Sequence, residues 1–183
     1  LTDRENAIEN IMNFLEDKEK RILLIRGYDN KAKIRASLSC LNRVFSKGII
    51  RTGLMSDISD HINCAFNRDI LPHQVKSTTS YKIGKMNVRI NSYVNHTQSN
   101  PKGNENTFTL FLPVENVLKK DSRYNDFIDD LNNSGSAKVI LITTNEWGIN
   151  NWDIEAHVDE VFFYKVENDN PQLMSNLRNN GAL

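Results

Sequence analysis

The sequence predicts a three-layer α/β sandwich on a mostly parallel central sheet, and three observations carry that expectation. Ile22 to Ile25 and Val139 to Thr143 are short, unbroken apolar runs, the pattern of strands buried on both faces. Segments with apolar residues three and four apart alternate with such runs, as helical crossovers between parallel strands require. One stretch, Tyr81 to Val94, instead alternates apolar with polar residues, which marks an antiparallel hairpin with one wet face.

The elements follow in order. Thr2 to Asp17 carries Ile8, Ile11, Met12 and Leu15 on one helical stripe, and Thr2 with Glu5 has capping-box spacing. Ile22 to Ile25 is the first strand, and Ile34, Leu38, Leu41 and Phe45 form the stripe of the helix after it. Ile49 to Leu54 reads as a second strand, and Asp57 to Phe66 as a helix with Ile58, Ile62 and Phe66 on one side. In the hairpin, Gly84-Lys85 is the two-residue turn, and the polar face holds Lys82, Lys85 and Arg89. Phe108 to Val114 is a strand, Tyr124 to Leu131 a helix, and Val139 to Thr143 and Val158 to Val166 further strands. Asn170 and Pro171 open a last helix that Gly181 closes.

The 183 residues, 39% hydrophobic and 25% charged, suit one well-cored domain, 1–183, with the hairpin inserted at about 78–96. No apolar stretch is long enough for a membrane span, and the start lacks the layout of a secretory signal. The chain begins with Leu, as a trimmed product would. Cys40 and Cys64 lie in helices without a partner motif, which fits reduced thiols and a cytoplasmic setting. Asn95-His96-Thr97 and Asn132-Asn133-Ser134 match the glycosylation pattern, as chance allows in so asparagine-rich a chain.

A net charge of zero hides an uneven distribution. Residues 1–19 carry two basic and six acidic side chains, 20–102 fifteen and four, and 103–183 six and thirteen. A positive block of this kind attracts anions, and a negative one docks on basic surface, although the two can also pair within one fold. The partners expected are another protein or a nucleic acid, met through the basic hairpin or the acidic C-terminal third.

Parallel sheets carry their ligand loops at the carboxyl ends of the strands, so the tips after Ile25, Val114 and Thr143 should lie together. The first tip, Gly27-Tyr28-Asp29-Asn30-Lys31-Ala32-Lys33-Ile34, matches the phosphate-loop pattern at Gly27 and Lys33. Ala32 replaces the second glycine, and Ile34, replacing the hydroxyl, cannot ligate magnesium. Backbone amides at Asn30, Lys31 and Ala32 can still meet phosphate, with Lys33 as the chief cation. The second tip, "TFTLFLPVEN", has Pro113 where a magnesium-orienting aspartate belongs, and Glu115 as the nearest carboxylate. The third, "VILITTNE", ends near Asn145.

Over residues 20 to 166 the chain resembles a P-loop NTPase of the AAA-like branch with degenerate nucleotide motifs. That resemblance implies a Walker A-like loop at Gly27 to Lys33 for ATP or another nucleotide, Glu115 near the acidic Walker B position, and Asn145 as the sensor residue. It does not imply magnesium chemistry, because both magnesium-side groups are missing. Members of such families that lose these motifs persist as parts of assemblies, so a protein–protein interaction module stands as the alternative.

Other constellations carry less. His61, His73, His96 and His157 are scattered, so no metal site is expected. Asp57 with Asp60 and His61 reads as helix capping. Trp147 and Trp152 read as cover for a core end, or else as a stacking platform. Asp129 and Asp130 read as a solvated helix face. Lys82, Lys85 and Arg89, with Tyr81 and Tyr93 nearby, form a candidate nucleic-acid ribbon.

Overall fold

A computed structural model describes residues 1–94, 101–149 and 152–183. His96 and the Asn95-His96-Thr97 motif lie outside the described residues. Among the described residues seven strands form one sheet: β1 (Ile22–Arg26), β2 (Lys47–Thr52), β3 (Ser80–Ile83), β4 (Met86–Ser92), β5 (Thr107–Phe111), β6 (Lys138–Ile142) and β7 (Glu160–Phe163). Their spatial order is β3-β4-β2-β5-β6-β1-β7, and only β3–β4 is antiparallel. This is the three-layer α/β architecture on a mostly parallel sheet that the apolar runs predict.

The unbroken apolar run Ile22 to Ile25 predicts a central strand flanked by the Val139 to Thr143 strand and the C-terminal strand; β1 does lie between β6 and β7, but it is second from an edge and not central. The middle of the sheet is β5, because β2 and the hairpin extend the sheet on that side. The hairpin also does not project as a ribbon. β2 pairs in parallel with β4 along its whole length, from Lys47↔Asn87 to Thr52↔Ser92, so the hairpin is the edge of the main sheet. Its turn is as read: Gly84 has φ +61°, the first-position glycine of a type II′ turn, with Ile83 opposite Met86.

The helices are α1 (Asp3–Glu16), α2 (Asn30–Val44), α3 (Ile58–Phe66), α4 (Asp121–Asn133) and α5 (Pro171–Asn179). The period-two geometry of the strands splits the core into two. Leu23, Ile25, Ile50, Phe108, Leu110 and Ile140 face α1, α2, α3 and α5. Ile22, Leu24, Phe111, Val139 and Leu141 face α4 through Phe127 and Leu131. The Thr2–Glu5 capping box and the Asn170 cap before Pro171 are both formed. Asp57 occupies the N-cap position of α3 without capping it; its carboxylate accepts from Ser56 Oγ instead. Asp130 is no solvated bystander, since it accepts from Arg51 Nη1 at 3.0 Å, whereas Asp129 is exposed. Among the described residues no helix is long and apolar enough to cross a membrane.

Candidate functional site

The β5-β6-β1 register brings the three tips together at one end of the sheet. Backbone bonds knit them: Val114 N donates to Ile142 O at 3.0 Å, and Thr143 N to Ile25 O at 3.3 Å. Between β1 and α2 lie only Gly27, Tyr28 and Asp29, so Asn30, Lys31, Ala32 and Lys33 already form the first turn of the helix. The open loop of amides that the phosphate-loop pattern describes is thereby shortened to three residues.

Gly27 has φ +137°, and a Cβ there would stand 2.6 Å from the carbonyl oxygen of Tyr164. Glycine is therefore required by the close passage of the chain leaving β7, whatever ligand the loop meets. Its amide donates to Glu146 Oε1 at 2.9 Å. The same carboxylate accepts from Thr143 Oγ1 at 2.8 Å and, through Oε2, from Arg26 Nη2 at 2.8 Å and Nε at 3.1 Å. Glu146 is buried, and Arg26 also reaches the exposed Glu155. A carboxylate of the protein thus meets the loop as an anion would.

The helix end is occupied in the same way. Asp29 accepts from Ala32 N at 3.0 Å, and its other oxygen accepts from Asn170 Nδ2 at 2.9 Å. Asn30 Nδ2 donates to Thr144 O at 3.0 Å, and Lys31 points its charge into solvent from an exposed position.

Lys33 is 0% exposed. Its ammonium donates to Gly27 O at 2.5 Å and Thr143 O at 2.6 Å, binding the turn to the β6 tip. Burial lowers its pKa to about 8, partly opposed by the nearby carboxylates of Glu146, Glu115 and Asp29. Glu115 accepts from Thr144 N at 2.7 Å and Thr144 Oγ1 at 2.6 Å through one oxygen, while its second oxygen is buried without a partner. Asn145 is exposed, and its side-chain oxygen accepts from Trp147 N and Gly148 N, shaping the turn after β6.

The structure therefore gathers Gly27, Asn30, Ala32, Lys33 and Glu115, and directs Asn145 to a local turn. Glu146 and Arg26 complete this site, and no sequence motif marks either of them. Arg26 closes the strand run, but nothing in the local pattern marks Glu146 as a partner of Gly27.

Trp147 is half exposed; its ring packs 5.6 Å from Tyr28, and its indole N–H donates to Ala182 O. The hairpin cations lie elsewhere. Lys82, Lys85 and Arg89 are exposed on the β3–β4 edge, Tyr81 is half-buried, and Tyr93 is buried against Phe111 with its hydroxyl on Pro113 O. Tyr93 is thereby removed as a stacking ring. Among the described residues no group of three histidine, cysteine or acidic side chains is placed to hold a metal ion.

No family model matches the chain, and no curated protein matches it. Among solved structures it is similar to the large terminase of a thermophilic bacteriophage in complex with ADP, with a TM-score of 0.55 and 8% identity. The match covers 94% of this chain and 48% of the terminase, so the chain spans about half that protein's length. At that identity the likeness concerns the fold alone, and it agrees with the P-loop NTPase-like architecture.

Proposed function

We propose that this P-loop NTPase-like domain serves as a non-hydrolysing docking component of a larger assembly. The observation that carries the reading is the closure of its phosphate loop from within. Glu146 holds the Gly27 amide, Asp29 holds the Ala32 amide, and Lys33 is spent on two buried carbonyls. A polyphosphate brought here would face three carboxylates, Asp29, Glu115 and Glu146, whose repulsion opposes the attraction of Lys33 and Arg26. Ile34 and Pro113 offer no oxygen ligand from their side chains where magnesium would need one.

Titration calorimetry with ATP and ADP, with and without magnesium, tests this reading. The expected result is no binding at millimolar nucleotide. Magnesium-dependent binding with turnover, both abolished in a folded Lys33→Ala variant, would overturn it.

A second reading, that the loop opens to bind ATP or another nucleotide, is favoured by the ADP complex of the terminase. It requires Lys33 to exchange two carbonyls for phosphate oxygens and Glu146 to release Gly27. Saturable ADP binding without turnover would support this reading over the first.

A further inference from the structure

We infer that the outer face of β3, β4 and the start of β2 binds the phosphate backbone of a nucleic-acid duplex. This deepens the docking reading by naming one partner, and it does not depend on the state of the nucleotide loop. The pairing register builds the surface. Lys82 on β3 lies opposite Asn87 on β4, and Asn87 lies opposite Lys47 on β2, so the three side chains share one face in a row across the strands. Strand spacing sets the two lysine backbones about 10 Å apart, and Arg89 stands about 7 Å along β4 from Asn87 on the same face. Lys85 extends the group at the turn.

All of these residues are exposed, while the opposite face of the hairpin, Ile83, Met86, Val88 and Ile90, is buried. The sequence has no acidic residue between Asp69 and Glu105. Among the described residues none of the four cations is paired with a carboxylate. Arg89 Nη2 donates to Ser77 O at 2.8 Å, which orients the guanidinium and leaves its other donors for a ligand.

The chemistry selects the occupant. Protein interfaces centre on apolar and aromatic side chains and are poor in lysine, whereas this face offers lysine, arginine and asparagine. Such donors suit phosphate and sugar oxygens. A single strand would call for exposed rings on which to stack bases, but Tyr93 is buried and the Tyr81 hydroxyl is held by the Lys76 amide at 2.7 Å. Backbone contact to a duplex needs no ring.

Fluorescence anisotropy with a labelled duplex of arbitrary sequence, with its single strand, and with polyglutamate as competitor tests the inference. Duplex should bind more tightly than single strand, with log affinity falling against log salt at a slope of about −3 to −4, as four neutralised phosphates require. Joint replacement Lys82→Glu, Lys85→Glu and Arg89→Glu should abolish binding with an unchanged melting temperature. The milder Lys82→Gln, Lys85→Gln, Arg89→Gln set should reduce the slope to about −1, and it decides the matter if the reversed variant fails to fold. Absence of duplex binding at about 50 mM salt, preference for the single strand, equal competition by polyglutamate, or binding indifferent to both variants would overturn the inference.

Discussion

The Glu146 carboxylate accepts the Gly27 amide at 2.9 Å across 119 residues of sequence, and the same side chain grips Arg26. One residue thus closes the loop after β1 and ties it to the turn after β6. Removing the carboxylate strands a half-buried guanidinium and a buried amide together. Glu146→Ala should cost about 3 kcal/mol, in the range for breaking one side of a buried ion pair, whereas Glu146→Gln keeps some hydrogen bonds and should cost less. Urea unfolding of the two variants checks this; a loss under about 0.5 kcal/mol in Glu146→Ala would show that the loop does not depend on it.

Lys33 predicts a pH dependence whose sign follows from its burial. Its folded pKa of about 8 lies below the ordinary 10.5, so between those values the unfolded chain holds a proton that the folded chain has shed. Stability from this group therefore rises with pH across that window. Burial acts oppositely on Tyr164, raising its pKa to about 12, so its contribution falls once pH passes 10. Wild type compared with Lys33→Met by urea unfolding from pH 7 to 10 should show wild type gaining by up to about 3 kcal/mol relative to the variant. A flat difference would place the ammonium in a well-solvated site.

What was legible in the sequence was local. The apolar runs of β1 and β6, the Thr2–Glu5 box, the Gly84 turn and the Pro171 start each depend on neighbours a few residues away, and each formed where the pattern put it. What was not legible is pairing at a distance. The alternation in 81–94 identifies a hairpin but cannot say that β4 will find β2. Asp130 has the pattern of a solvated acid until the sheet brings Arg51 beside it. Gly27 is the sharpest case: a glycine before a helix suggests a phosphate, while the close neighbour that demands it is the Tyr164 carbonyl, 137 residues on.

Lys138 shows the same dependence on distant partners at the end of α1. The last turn of that helix has no basic residue of its own, yet Lys138 of β6 donates to Phe14 O at 2.8 Å, Asp17 O at 2.5 Å and Lys20 O. A cation at a helix C-terminus satisfies carbonyls that have no partner within the helix and complements the dipole. Lys138→Met, which keeps an unbranched apolar stem but removes the ammonium lying 4.7 Å from the Phe14 ring centroid, should destabilise the fold by about 2 kcal/mol and expose α1 amides to faster hydrogen exchange than the β5–β6 core. Uniform exchange across both regions would mean that the contact does not hold α1 in particular.

Gly48 makes the most specific packing prediction. On β2 it stands opposite Phe108 of β5, and a Cβ at Gly48 would lie 2.1 Å from the Phe108 ring. That ring is fully buried and meets Phe45 edge-on at a centroid distance of 5.6 Å, so it has little room to retreat. Here the glycine backbone angle is ordinary, and the missing side chain is what the core requires. Gly48→Ala should therefore cost about 2 to 3 kcal/mol by overpacking. Phe108→Leu alone should also destabilise, by leaving space, but the double variant should lose less than the two single losses combined, because the smaller side chain admits the new methyl group. Additive losses in a urea double-mutant cycle would show that the ring and the glycine are not in direct competition for that space.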